Sequence, residues 1–432
     1  MDNYMSLPKS FNLAEPIPSL PDGVTSTLIS VRPISGSSFS ASQIVEFDLG
    51  NRGWLIPDSL AIRYKQKCSS GAATAVVAGT PLYTPFVRLN TLVNGAVIDS
   101  INQYGQVAHM IINTSMGVSK KYGVAQAWGY TVPAINDGSM LYLDGRLVAA
   151  SATLAAVMVG GPLVGTMLSQ AEKNIPLFAM GQIRLQFTID TLANMSFTDG
   201  TITALTDFQI SDFEVTYQMV DMGVAVEKMV YDMGPQLFIK SHGWNNSSVA
   251  VSAGTSGNQT YVFNQRLASI RSAYICPNRP TGSKQVEFVD ITNQNGSYQL
   301  NVGSQMFPQM PLDTLNNFGG IFVETSRAAG AIYGKNSEMA ISRTESLVDE
   351  NDSTASMVYY SPGKFIAGVL LSKVGPDDRD VLMSGCSTYN QPIGVNVNFG
   401  TATTNANSLN LMLDYDCVLV LDTGARQLSV RS

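Results

Sequence analysis

Side chains that carry out catalysis or bind metals are scarce in this sequence. Asp, Glu, Lys and Arg together make up 14% of the 432 residues, and only two histidines and four cysteines occur. His109 and His242 lie far apart, with no His-x-x-x-His, Cys-x-x-Cys or His/carboxylate cluster around them, which argues against a zinc site. The cysteines share no motif and favour free buried thiols over two disulfides: Cys68, Cys276, Cys386 and Cys417.

Sequence motifs of the common enzyme classes are also missing. No Gly-x-Ser-x-Gly elbow frames a serine, and neither a Walker loop nor a dinucleotide-binding glycine motif occurs. Acidic residues bunch at 349–352 and at 377–380, where they could coordinate calcium or act as a carboxylate pair. We favour solvated loops between strands for both bunches. The sequence therefore predicts no catalytic, cofactor-binding or metal-ligating residues, and a protein that is not an enzyme.

Basic patches and targeting segments are lacking as well. The net charge of −7 is spread evenly, since residues 1–221 carry 12 basic and 16 acidic side chains and residues 222–432 carry 14 and 17. Because no basic patch is available to neutralise phosphates, direct binding of nucleic acid is not expected. The first residues have neither a basic start nor an apolar core, so we expect no secretory signal.

One uncharged run, Leu147–Leu168, is long enough to span a bilayer. It is rich in small residues, and Gly160-Gly161-Pro162 interrupts its middle, which argues against a membrane span. We expect instead a long loop that is buried against a neighbouring subunit. Residues 1–23 are polar and punctuated by proline, and they are expected to form an extended arm.

Apolar and polar residues alternate over many short segments, which is the pattern of half-buried β-strands. Hydrophobic residues make up 45% of the chain, and the abundant Gly, Pro, Asn, Ser and Thr suit strands that are joined by turns. Short strands at this density indicate β-sandwiches, and long excursions between strands are typical of jelly rolls. The clearest predicted strands lie at 45–49, 60–65, 183–189, 395–399 and 409–417.

The centre of the chain changes its periodicity twice. Residues 212–219 alternate as a strand, and Val226, Met229, Val230 and Met233 then follow the spacing of one buried helix face. Gly234-Pro235 ends this helix, and a new strand begins. We therefore predict an all-β chain of two tandem jelly-roll sandwiches joined by a short helix, with long inter-strand loops. Its predicted parts are an arm at 1–23, a first jelly roll at 24–221 with a loop excursion at about 117–172, a linker helix at 222–234 and a second jelly roll at 235–432.

Three local features complete the structural prediction. Asn94-Gly95 favours a tight turn within the apolar run Phe86–Ile98. A helix is predicted at Gln103–Ser115, with a buried stripe that includes Val107, Met110 and Ile111. The three tryptophans are expected in cores or interfaces: Trp54, Trp128 and Trp244.

Several segments match one protein family in their order and spacing. They are Ser37–Ser40, Gln43–Leu49, Arg52, Leu60–Lys65, Ile175–Leu177, Met180–Leu185, Ile210–Asp221, Asn264–Leu267, Ser269–Ser272, Tyr298–Pro308, Phe365–Leu371 and Leu409–Leu421. Together they resemble the double jelly-roll major capsid proteins of adenoviruses and of tailless lipid-containing phages. The resemblance extends from about residue 34 to residue 422.

The resemblance implies a structural protein of a virus shell. A member of this family would form homotrimers with a pseudo-hexagonal outline, and these capsomers would tile an icosahedral capsid. The implied partners are neighbouring capsomers, penton and minor capsid proteins, with an internal viral membrane as a further candidate. The implied location is the virion, after synthesis and assembly inside the host cell. We expect the trimer contacts at 117–172, around Met306–Phe318 and in the N-terminal arm.

Two alternatives stay open at this point. One is a β-sandwich carbohydrate-active enzyme or lectin-like binding protein that uses carboxylates of the acidic loops. The other is a minor capsid or vertex protein of the same type of virus. Pseudo-hexagonal trimers are expected for a major capsid protein only.

Overall fold

The computed structural model describes residues 23–117, 123–124, 127–130, 145–197, 202–279, 287–315, 318–331, 339–341, 343–350, 363–374 and 383–432. The predicted arm at 1–23 therefore lies almost wholly outside the described residues. So do residues 351–362 and 375–382, which include part of one acidic bunch and all of the other.

Two groups of strands are present, and we name them the first unit (residues 25–221) and the second unit (residues 236–431). The strands described in the first unit are β1 Thr25–Val31, β2 Ser38–Ser40, β3 Ile44–Asp48, β4 Trp54–Leu55, β5 Ala61–Ser70, β6 Thr74–Ala78, β7 Phe86–Val93, β8 Ala96–Asn102, β9 Gly145–Val148, β10 Thr153–Pro162, β11 Ile175–Pro176, β12 Ile183–Ile189, β13 Ser196–Phe197, β14 Ile202–Thr203 and β15 Leu205–Asp221. Those of the second unit are β16 Gln236–Val251, β17 Gly257–Phe263, β18 Ile270–Asn278, β19 Gly296–Val302, β20 Gln305–Asp313, β21 Ala367–Leu370, β22 Ile393–Phe399, β23 Asn407–Asp422 and β24 Gln427–Arg431.

Helices are short and lie between strands. The α-helices of the described residues are α1 Tyr104–Ser115, α2 Leu192–Met195, α3 Val224–Asp232, α4 Phe318–Ala328 and α5 Arg343–Ser346, and 3-10 turns occur at Pro57–Ser59 and Leu177–Ala179. Within the described part of the chain, no helix has both the length and the apolar character needed to cross a membrane.

The two units share one strand order. In the first unit, β1 and β2 pair with β15, which pairs with β5, which pairs with β10; the facing sheet has the order β3, β12, β7, β8. In the second unit the corresponding orders are β16, β23, β18, β21 and β17, β22, β19, β20. In each unit the first strand thus pairs with the last of eight and the second with the seventh, which is the jelly-roll arrangement of two antiparallel sheets. A small extra sheet in the first unit joins β6 to β9, β13 and β14.

Alternating side chains form the core between the sheets of each unit. In β12 the four apolar residues are buried and the polar residues between them are half-buried, as the sequence predicts. The first core centres on aromatic rings; the centroids of Phe47 and Phe213 lie 4.7 Å apart, and Tyr64 lies 5.3 Å from Phe213. The predicted turn is confirmed, because Asn94 and Gly95 have φ angles of 50° and 82° and join β7 to β8.

The predicted loop at 117–172 is wrong for the residues that form β9 and β10. Residues 153–162 form an edge strand that pairs with β5, in the position of the sixth jelly-roll strand. Gly160 and Gly161 do not interrupt this strand. They allow close packing, since a Cβ on Gly161 would lie 2.6 Å from Nε1 of Trp128 and one on Gly160 would lie 3.1 Å from Cβ of Arg63.

The predicted burial of the linker helix is also wrong in large part. A helix does lie at α3, but only Val230 of the expected stripe is buried, while Met229 is 60% and Met233 is 69% exposed. The spacing of apolar residues predicted the helix correctly. The spacing could not show whether another part of the chain covers this face of the helix. In the single chain, most of the face is left uncovered.

Candidate functional site

His109 lies in a polar cluster inside the molecule. Its Nδ1 is 3.1 Å from Oγ1 of Thr80, and its Nε2 is 3.0 Å from Nδ2 of Asn113. The imidazole is fully buried, and its ring centroid lies 5.9 Å from that of Phe288 in the second unit. This histidine therefore contributes to the packing of one unit against the other.

His242 lies beside a serine and two acidic residues, but the arrangement is not that of a catalytic triad. Oγ of Ser269 donates to Oδ2 of Asp416 at 2.6 Å, so the serine faces the carboxylate and not the imidazole. Nδ1 of His242 is 3.0 Å from Nη1 of Arg271 and 3.4 Å from Oδ1 of Asp416. Burial opposes ionisation of Asp416, yet hydrogen bonds from His242 and Ser269 and the charge of Arg271 hold its pKa below the usual value. The group therefore ties β16, β18 and β23 together as a buried ionic network.

The acidic bunch at 349–352 is not a solvated loop where the structure describes it. Glu350 is fully buried, and its carboxylate accepts hydrogen bonds from Nδ2 of Asn293 at 2.9 Å, the amide of Thr404 at 2.6 Å and Nδ2 of Asn407 at 2.6 Å. The favoured interpretation is therefore wrong for Glu350, because its neighbours supply enough donors to make burial of the charge tolerable. Among the residues that the structure describes, no three His, Cys, Asp or Glu side chains are placed to hold a metal ion.

The cysteines and tryptophans are buried or half-buried and contribute to packing. All four cysteines are free; Cys386 is half-buried and the others are buried, which confirms the prediction of free thiols. Burial raises the pKa of Cys68 to about 12, so its reactive thiolate is disfavoured. Trp128 and Trp244 are buried, and the half-buried Trp54 packs against Phe178 with ring centroids 5.5 Å apart.

The contact between the units includes α1, the segment 163–172 and β8, which lies against β16. Ten of the twelve residues of α1 are buried. The amide of Ala340 donates to the carbonyl of Asn113 at 2.8 Å, and Nδ2 of Asn410 donates to Oε1 of Gln106 at 3.4 Å. The contact therefore joins one face of α1 to the second unit.

Residues 163–172 lie against β16 of the same chain. Oγ of Ser241 donates to the carbonyl of Met167 at 2.5 Å, and Nζ of Lys240 lies 3.4 Å from Oε1 of Glu172. Leu163, Met167 and Leu168 are buried there. They are buried within the single chain, and Met167 lies beside Gly243 of the second unit. The expectation that this segment is buried by a neighbouring subunit is therefore wrong for these residues.

Comparisons with known proteins give structural matches only. No protein-family profile and no curated protein sequence matches the chain. The structure is similar to a chain of the PBCV-1 virus capsid, with a TM-score of 0.60, 12% identity, and 97% of this chain and 99% of that chain covered. It is similar to the Faustovirus major capsid protein (TM-score 0.62, 8% identity, 94% and 92% covered) and to the mavirus major capsid protein (0.50, 10%, 100% and 95%).

The chain has the fold of the double jelly-roll capsid proteins. At these identities the likeness establishes the fold, and it confirms the fold class that the sequence predicted. The double jelly roll accounts for both units and for nearly the whole length of the chain.

The double jelly roll leaves several large apolar side chains uncovered in the single chain. Met306 and Met310 on β20 are 52% and 80% exposed, and Phe322 and Val323 on α4 are 43% and 37% exposed. Further exposed apolar residues lie on and around α3: Val224, Met229, Met233 and Phe238. Clusters of this kind mark surfaces that contact another protein, so they are the candidate functional surfaces of the molecule.

Proposed function

We propose that this protein is the major capsid protein of an icosahedral virus. The observation that carries the proposal is the presence of two jelly rolls with the same strand order in one chain, packed on each other through α1, with apolar surfaces still uncovered. Three such chains would provide six similar units, enough for a capsomer with a pseudo-hexagonal outline. The role is structural, and the comparisons favour neither an enzyme nor a lectin-like protein.

The proposal includes the organisation of the chain and its partners. We propose domain boundaries at 24–221 and 235–432, with a linker at 222–234, because the described strands pair only within these ranges. The partners are two further copies of the chain, neighbouring capsomers, and penton and minor capsid proteins, with an internal viral membrane as an additional candidate. The protein would lie in the virion after synthesis inside the host cell.

The low charge content of the chain, 14% of its residues, suits surfaces that become buried on assembly. Obligate interfaces bury more than about 2,000 Å² and resemble a protein core cut in half, and exposed methionines and phenylalanines suit such contacts. The exposed residues around Met306–Leu315 fall in the region where the sequence suggested trimer contacts.

The test is the size and outline of the purified full-length chain. Sedimentation velocity should give a particle of three times the 46.3 kDa chain mass, and negative-stain images should show pseudo-hexagonal outlines. Pentameric particles would favour a vertex protein. A stable folded monomer at micromolar concentration would contradict the proposed function.

A further inference from the structure

The two units present equivalent elements in different surroundings. In the first unit, α1 lies between β8 and β10, the fifth and sixth jelly-roll strands; in the second unit, α4 lies between β20 and β21, which hold the same positions. Similarly, the sheet that contains β5 and β15 in the first unit corresponds to the sheet that contains β18 and β23 in the second. The chain therefore carries two copies of each element, and their exposure can be compared directly.

The two helices differ in what covers them. α1 is buried on nearly all sides because the second unit packs against the face that its own unit leaves free. α4 contacts its own unit through Thr325, whose Oγ1 donates to the carbonyl of Ile366 at 2.8 Å and accepts from the amide of Gly368 at 2.8 Å. On its other side, Phe322 and Val323 are exposed. In the described part of the chain, no second unit covers this exposed side of α4 as the second unit covers the free face of α1.

The outer faces of the two equivalent sheets also differ in burial, but here the face in the second unit is the covered one. Nearly every residue of β18 and β23 is buried, on both faces. On the outer face of this sheet, Asn410 of β23 donates to Gln106 of α1, and α4 packs against Gly368 and Tyr274. In β5 the buried residues alternate with half-buried or exposed ones, so the outer face of the first unit's sheet is open. Arg63, Lys65 and Lys67 point outward there. Each chain thus leaves one side of α4 and the outer face of the β5–β15 sheet uncovered.

We propose that α4 of one copy packs on the outer face of the β5–β15 sheet of a second copy. This contact would repeat between chains the contact that α1 makes with the β18–β23 sheet within a chain. It joins two different surfaces, so it is heterologous and adds copies head to tail until the ring closes. The inference rests on the proposed function, in that it names the surfaces through which the capsomer forms.

The outer face of the β5–β15 sheet, which would receive α4, has a composition that allows another protein surface to cover it. Two of its cations are paired with carboxylates, since Nη2 of Arg63 lies 2.5 Å from Oε2 of Glu214 and Nζ of Lys65 lies 2.7 Å from Oδ2 of Asp212. Long basic side chains can contact apolar groups through their aliphatic stems while the charged ends stay paired. Met158, which is 48% exposed, pairs with Lys65 across β10 and β5 and adds an apolar site for Phe322 and Val323.

The first experiment measures self-association of the full-length chain by sedimentation equilibrium. The double variant Phe322→Asp and Val323→Asp should weaken assembly by at least about tenfold in dissociation constant, because two apolar contacts become unpaired charges. The matched control is Val262→Asp, at a 52% exposed valine on β17 of the same unit, which should assemble like the wild type. Circular dichroism of both variants checks that the fold is retained.

The outcomes separate this inference from the proposed function. Normal assembly of the double variant, with a trimeric wild type, overturns the α4 contact and leaves the capsid proposal standing. A monomeric wild type overturns the capsid proposal and the contact with it. Weakened assembly of the double variant, together with normal assembly of the Val262→Asp control, supports the contact.

A second experiment identifies the receiving surface without depending on a destabilising variant. Replacing Phe322 with photoreactive benzoylphenylalanine and irradiating the assembled protein should give cross-linked multimers. Mass spectrometry should place the adducts on peptides of β5, β10 or β15. Adducts on α4 of the other copy would show a self-complementary contact and overturn the proposal, as would adducts confined to the second unit.

Discussion

At the scale of single residues, buried carboxylates organise the loops of the second unit. Asp290 is fully buried, and it accepts hydrogen bonds from the amides of Thr292 and Gln294 and from the hydroxyl groups of Thr292 and Tyr298. Glu350 connects Asn293 to residues 404–407 in the same way. These carboxylates hold together chain segments that have little regular secondary structure, so their role is structural.

Replacing Glu350 with Ala should lower the free energy of unfolding by about 3 kcal/mol, because several buried donors would lose a charged acceptor. The midpoint of urea denaturation measures the change. Asp58→Ala, at an exposed acidic residue of the first unit, is the control and should have almost no effect. An equally small change at Glu350 would show that water or other groups replace the carboxylate.

Asp99 is a buried acid next to the contact between the units. One carboxylate oxygen accepts from the amide of Met167 at 3.2 Å, and its charge acts on Tyr415 and Cys417 of the second unit. Burial raises the pKa of Asp99 to about 7, although hydrogen bonds from the amides of Met167 and Ser100 oppose the shift. The folded chain therefore binds a proton at Asp99 over a range of pH in which the unfolded chain has lost it.

Stability from Asp99 should be complete below about pH 4 and should be lost as the pH rises towards 7, since the folded-state pKa is the higher one. The loss amounts to up to about 4 kcal/mol. Asp99→Asn should remove this dependence. The stability of the variant relative to the wild type should therefore be greater at pH 8 than at pH 4.5. Urea midpoints at both pH values test this. A difference between the two proteins that does not vary with pH would rule out titration of Asp99 in this range.

At the scale of secondary-structure elements, the entry to the linker helix α3 depends on backbone conformation. Gly223 precedes the helix with φ 81° and ψ 164°, a region that is open almost only to glycine. No atom lies within 4 Å of the position that a Cβ would occupy. A side chain there would therefore meet no steric obstacle, and any cost would come from the backbone itself.

Gly223→Ala should destabilise the protein by about 1–3 kcal/mol through this backbone strain. Gly319→Ala is a suitable control, because Gly319 lies within α4, also has open space around it and should be neutral or slightly stabilising. Thermal denaturation of the two variants measures the difference. Equal midpoints would mean that the linker relaxes around the new side chain without cost.

At the scale of the whole molecule, we predict that the double jelly roll is held together without a metal ion. Prolonged dialysis against a chelator should leave the thermal midpoint unchanged, since the buried carboxylates Glu350 and Asp416 have hydrogen-bond donors or a basic side chain as partners. A loss of more than about 5 °C, which corresponds to more than roughly 1 kcal/mol in a domain of this size, would reveal a structural ion. Calcium added back to the dialysed protein would then restore the midpoint.

The prediction from sequence succeeded where the local pattern is strong. β12 and β23 are strands because alternation or a long apolar run leaves few other ways to bury their side chains, and the turn at Asn94-Gly95 has a local conformational cause. Prediction failed at β10, where an Ala- and Gly-rich run has no clear period. The glycines there serve the close approach of Trp128 and β5, which are distant in sequence.

The sequence by itself determined that this chain is built from two β-sandwich units with a helix between them, because side-chain periodicity and turn residues act over a few neighbouring positions. Only the tertiary structure decided which surfaces are used. The burial of α1 and residues 163–172 and the exposure of α3 and α4 depend on how two folded units meet. The enclosure of Glu350 depends on how separate segments of the second unit meet. That packing is set by contacts between residues that are tens to hundreds of positions apart in sequence, and the proposed assembly surfaces are what it leaves uncovered.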